Sequence, residues 1–144
     1  MNEMGPPSQG VATKDDIELR LGAELEHLPL IRSLASSIAM RADFDLDMIA
    51  DLKLAVDEAC STLIVRAVPE TRMVCRFALG KGELRFTVSV VTARDTPPST
   101  KSFGWQVLTT LTDSASSWIE GHTGNGQASW VYVELTKRRP ETSG

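Results

Sequence analysis

The sequence predicts an α+β fold: a two-layer sandwich in which helices cover one face of a mainly antiparallel, mixed sheet. Three features predict it. Residues 28–42 and 45–67 repeat apolar side chains at intervals of three and four, the period of a helix with one buried face. Segments 73–79 and 83–91 alternate apolar and polar residues on either side of Gly80-Lys81-Gly82, the pattern of a hairpin. Further strand-like stretches precede the first helix and close the chain, giving the order β α α β β α β β.

From the N-terminus, residues 1–14 (MNEMGPPSQGVATK) bury too little to offset the entropy of ordering and are expected to form a tail. Residues 15–138 are expected to form one domain, followed by a C-terminal tail over 139–144. Ile17, Leu19 and Leu21 alternate with Glu18, Arg20 and Gly22 in a first strand with one buried face. In the first helix Pro29 suits the opening turn, where a missing N–H costs nothing, and Leu28, Ile31, Leu34, Ala35, Ile38 and Ala39 form the apolar stripe.

The second helix is the longest clean helical signal. Asp45 stands as its N-cap, Asp47 and Asp51 lie near the positive end of its dipole, and Pro69 ends it. Ile49, Leu52, Val56, Ala59, Leu63 and Ala67 share its buried face, with Asp57 and Glu58 in the middle. After the hairpin, residues 92–102 (TARDTPPSTKS) read as a loop broken by two prolines. Residues 103–111 read as a short third helix with Phe103, Val107 and Leu111 on one face. A strand over 115–120, a glycine-rich turn over 121–126 and a strand over 128–136 complete the order.

Composition excludes several classes. A net charge of −4 leaves no excess of cations to displace counterions from phosphates, so no nucleic-acid partner is expected. No apolar run approaches the ~20 residues needed to span a bilayer, so no membrane partner is expected. The start lacks the basic and apolar regions of a signal peptide, and a cytoplasmic location is expected. Cys60 and Cys75 are too few for a disulfide framework and lack zinc-ligand spacing; they read as buried thiols, and no metal site is expected.

The segment DLKLAVDEACSTLI, preceded by IRSLASSIA and followed by a hairpin, resembles the RsbW-type anti-sigma factors. These are small serine kinases of the GHKL, or histidine-kinase-like ATPase, fold. The likeness runs from about Ile17 to Lys137 and extends to the actinobacterial anti-sigma-F factors through ADLKLAVDEAC and SFGWQVLTTLTD. It implies an alternative sigma factor as partner, held away from RNA polymerase. It implies a second partner, a small STAS-type antagonist that the kinase phosphorylates on serine, and a homodimer. Nucleotide and Mg²⁺ would sit between the long helix, a mobile lid and the third helix.

Carried over residue by residue, the family's nucleotide features are damaged here. The family's catalytic Glu is present as Glu58, but its Mg²⁺-binding Asn, four residues on, is Thr62, which lacks the amide's reach and carbonyl oxygen. The Asp that accepts from the adenine amino group is Val90, and the two glycines of that motif are Thr92 and Arg94. Of the lid-end glycines that cradle phosphates only Gly104 survives, with Lys101 as a further phosphate contact. The last glycine motif is replaced by Ala128-Ser129-Trp130-Val131.

No tightly bound cofactor is therefore expected, and ATP with Mg²⁺ is expected to bind weakly at best. Arg32 matches an arginine of the family's partner-docking surface, suited to bidentate carboxylate contacts. The leading reading is an anti-sigma factor that acts by sequestration. Two alternatives stand beside it: an active serine kinase using Glu58, Thr62 and Lys101, and a regulatory module unrelated to sigma factors.

Overall fold

The computed structural model describes residues 16–123 and 128–140. Its strands are β1 (Asp16–Gly22), β2 (Arg72–Gly80), β3 (Glu83–Thr92), β4 (Ser114–Thr123) and β5 (Ala128–Arg138). They form one sheet in the order β1-β2-β3-β5-β4. Its helices are α1 (Leu28–Arg41), α2 (Leu46–Ile64) and α3 (Phe103–Leu111), with a 3-10 turn at Leu25–His27.

Every pairing in the sheet is antiparallel, so the expected parallel component is absent among the described residues. The connections explain it. Two helices in succession return the chain antiparallel to β1 before β2 begins. β3 and β4 do run parallel, but β5 inserts between them and pairs with both.

The core lies between the helices and one sheet face. Ile31, Ala35 and Ile38 of α1 and Leu52, Val56, Ala59 and Leu63 of α2 are buried against Phe77, Phe86, Val88 and Val133. These are the stripes that helical and strand periodicity placed inward. On the other sheet face Trp118 stacks on Tyr132, their ring centroids 4.9 Å apart. Of the three tryptophans only Trp105 is buried in the core cluster.

Asp45 caps α2 as expected, its carboxylate accepting from the Met48 N–H at 2.8 Å. The helix ends earlier than Pro69 would require. Past Ile64 the chain turns, and the Val68 N–H donates to the Val91 carbonyl at 2.9 Å. Ala67 forms an isolated bridge with Thr92 at the end of β3. The helical pattern is thus overridden by a tertiary hydrogen bond.

In α3 the buried residues are Trp105 and Leu108, whereas Phe103 is 80% exposed. The helix docks on α2 through the face next to the expected one. β4 reaches to Thr123, so residues 121–123 of the expected turn are in a strand; the rest, 124–126, lies outside the described residues.

Cys60 and Cys75 meet inside the core, across the contact of α2 with β2, and both are free thiols. The hydrogen bond with Cys75, and then burial, push the Cys60 thiol well above the ordinary thiol range. The folded chain therefore keeps a proton that the unfolded chain releases near pH 8.5. Stability is whole below that pH and falls above it. Thermal melting between pH 7 and 10 checks this: Tm of Cys60→Ala should fall less steeply with pH than that of the wild type.

Candidate functional site

The chemistry-bearing residues gather around the middle of α2. Neighbouring helical residues point about 100° apart, so Asp57 and Glu58 serve opposite flanks. Asp57 faces α1 and Glu58 faces α3.

On the first flank Arg32 Nε stands 3.1 Å from Asp57 Oδ1. Both atoms are shielded from water, yet they lack hydrogen-bond alignment, so the contact is an ion pair only. The side chains as wholes remain 42% and 36% exposed. Asp57 thus holds the guanidinium by its inner nitrogen and leaves the outer fork to solvent. Sequence reasoning found Arg32 but not its brace, because residues 25 positions apart on two helices carry no shared local signal.

On the second flank Thr62 donates to Glu58 Oε2 at 3.1 Å, one helical turn along. Gly104 in the first turn of α3 lies against the same carboxylate. A methyl group on Gly104 would stand 2.5 Å from Glu58 Oε2 and 3.1 Å from Cδ. Ser102 caps α3, accepting from the Trp105 N–H at 3.1 Å. The carboxylate of Glu58 therefore packs beside the start of α3. A side chain at 104 would have to push the flexible Glu58 carboxylate aside.

This contact gives a double-mutant test. In the wild type Gly104→Ala forces Glu58 aside and should lower stability by about 1 kcal/mol despite alanine's better helix propensity. With Glu58→Ala already present the clash is gone, and Gly104→Ala should raise stability by up to about 1 kcal/mol. Urea denaturation of the four proteins reads the sign change.

The remaining nucleotide features do not fit the group. Val90 is fully buried among the core residues and pairs with Val131, so no carboxylate faces an adenine edge there. Thr92 is buried, its hydroxyl accepting from the Arg94 N–H at 3.2 Å. Arg66, which the sequence did not single out, donates from Nη1 to the Thr96 carbonyl at 2.8 Å. With the Val68–Val91 hydrogen bond this ties the 93–102 loop to the end of α2. Lys101 is exposed on that loop, its backbone N–H donating to Ser99 Oγ at 3.0 Å. The structure thus brings Glu58, Thr62 and Gly104 together, places Lys101 outside that cluster, and puts Arg32 on a separate surface. No described helix is long and apolar enough to cross a membrane.

Comparison with known proteins agrees with this architecture. The family model described as histidine kinase-like ATPase domain matches residues 21–125. Over 129 residues the chain is 36% identical to the anti-sigma-F factor RsbW of Mycobacterium tuberculosis, covering 88% of this chain and 76% of that protein. It is 38% identical over 58 residues to the serine-protein kinase RsbW of Bacillus subtilis, covering 40% of this chain and 36% of that one. The solved structure of the RsbU and RsbW domains of Rv1364c from Mycobacterium tuberculosis superposes with a TM-score of 0.60 at 19% identity. That match covers 90% of this chain and about a third of the longer one, 34%, and bears on the fold alone. With the sheet order, the α2 carboxylates and these matches together, the chain belongs to the histidine kinase-like ATPase family as an RsbW-type member.

Proposed function

We propose that the chain is an anti-sigma factor: it binds an alternative sigma factor through its helical layer and holds it away from RNA polymerase. One observation carries the reading. Arg32 is half-exposed and braced, while Glu58 lies against the start of α3. Arg32 is held outward by Asp57, and Glu58 packs onto Gly104.

The surface supports it. Among the described residues the exposed large apolar side chains lie on helices or helix ends, including Leu30, Leu54, Val65 and Phe103, and none lies on a strand. Exposed apolar side chains on one layer of a domain are the composition that protein interfaces draw on. The 36% identity to an anti-sigma-F factor extends over nearly the whole chain. A small antagonist of STAS type would release the sigma factor by competing for the same surface, and the family likeness extends the proposal to a homodimer.

Nucleotide plays little part in this reading. An adenine edge set against Val90 would lose a hydrogen bond worth about 1–3 kcal/mol, and phosphates would have to displace Glu58. The second reading, a serine kinase acting on the antagonist, is favoured by the survival of Glu58 and by the name of the B. subtilis relative.

Two measurements separate them. Co-purification with the sigma factor encoded in the same genome should give a stable complex. Calorimetry with Mg-ATP should show no binding tighter than about 100 μM, which is about −5.5 kcal/mol. Micromolar affinity together with phosphate transfer to the antagonist, abolished by Glu58→Ala, would establish the kinase instead.

A further inference from the structure

A groove of about 440 Å³ runs along the junction of α1 and α2, beside the Arg32–Asp57 pair. It is lined by Pro29, Arg32, Ser33, Ser36, Ser37 and Lys53. Ser33, Ser36 and Ser37 recur at intervals of three and four, so they form one stripe of small side chains, and their smallness opens the groove. Serine is a poorer helix former than alanine, so this stripe carries a local cost that packing does not offset.

The charges are the informative part. The lining holds two cations, Arg32 and Lys53, and no carboxylate. The neighbouring carboxylate, Asp57, is committed to Arg32. The chain as a whole carries a net charge of −4, so the groove is locally opposite in sign to its molecule. Lys53 sits one helical turn before Asp57, roughly 6 Å along the axis, so it offers a charge apart from the Arg32–Asp57 pair.

We propose that this groove is a second subsite of the sigma-docking surface, in which Lys53 takes one carboxylate of an acidic segment of the sigma factor while Arg32 takes another. The serine hydroxyls offer hydrogen bonds to that segment's polar groups, and Asp57 acts as the positioning residue for Arg32. The inference rests on the anti-sigma reading above. Charge complementarity selects an acidic protein segment as the occupant.

The test is calorimetric binding of the full chain to the sigma factor from the same genome, at several salt concentrations. Lys53→Glu should weaken binding by about 30-fold or more, and Lys53→Ala by about 5- to 10-fold, both with a reduced salt dependence. Lys81→Glu, at the distant β2–β3 turn, makes the same change in net charge and should alter affinity by less than about 3-fold. Lys53 and Lys81 are both exposed, so the melting temperatures of the variants should match the wild type. Equal effects of Lys53→Glu and Lys81→Glu, with the wild type binding normally, would overturn the subsite alone. Failure of the wild type to bind would overturn the anti-sigma reading and the subsite with it.

Discussion

Arg32→Ala should weaken sigma-factor binding by about 30- to 1000-fold, a loss of about 2–4 kcal/mol. The size follows from what the side chain offers. Asp57 holds Nε at 3.1 Å, so the guanidinium meets its partner with its rotamer largely fixed and its outer fork free for a bidentate contact. Removing it strands the partner's carboxylate in a desolvated interface, the costly half of such a truncation. The stability of the free chain should barely change, because a pair exposed to 42% and 36% contributes under about 1 kcal/mol. Arg32→Lys should restore little, since an ammonium cannot reproduce the fork. Asp57→Asn should cost less than Arg32→Ala, as it frees the arginine without deleting it. Calorimetry on all three, with melting curves as control, measures the order.

Leu52→Ala should destabilise the fold by about 2–5 kcal/mol. Leu52 is 1% exposed at the centre of the α2 stripe, where the helix lies on the sheet. Truncation removes transfer free energy and leaves a cavity that close-packed neighbours fill only in part. For a domain whose total stability is on the order of 5–15 kcal/mol, that is a large share. Urea denaturation should show a lower midpoint with an unchanged slope, and Leu52→Met should lose under about 1.5 kcal/mol. Sigma binding by the fraction that remains folded should be unaltered, which separates this loss from the Arg32 effect.

The long helix and the hairpin were legible because their signals are local. The α2 stripe from Ile49 to Leu63 follows a 3.6-residue period, and Asp45 caps as its position before the stripe suggests. What was illegible depended on contacts between distant segments. α2 stops at Ile64 because the Val68 N–H is claimed by Val91, a bond no window of sequence contains. Phe103 continues the apolar period of α3, yet it faces solvent, since the approach to α2 is set by Gly104 meeting Glu58.

The site divides the same way. Glu58, Thr62, Gly104 and Arg32 could be nominated from residue type and spacing. The brace on Arg32 and the packing of Glu58 against Gly104 emerge only when α1 and α3 are laid on either side of α2.

On the proposed anti-sigma reading, the stitching of the 93–102 loop to the end of α2 bears on how a captive sigma factor would regain its freedom. Arg66 grips the Thr96 carbonyl, Ala67 bridges Thr92, and Pro98 is buried, so this loop is anchored at its root. A flap that opened and shut with each hydrolysis would act as a timer set by the cell's energy charge. A flap anchored in this way would keep no such time. Liberation would then be a matter of mass action: how much rival protein is present, and how long each complex lives before it falls apart.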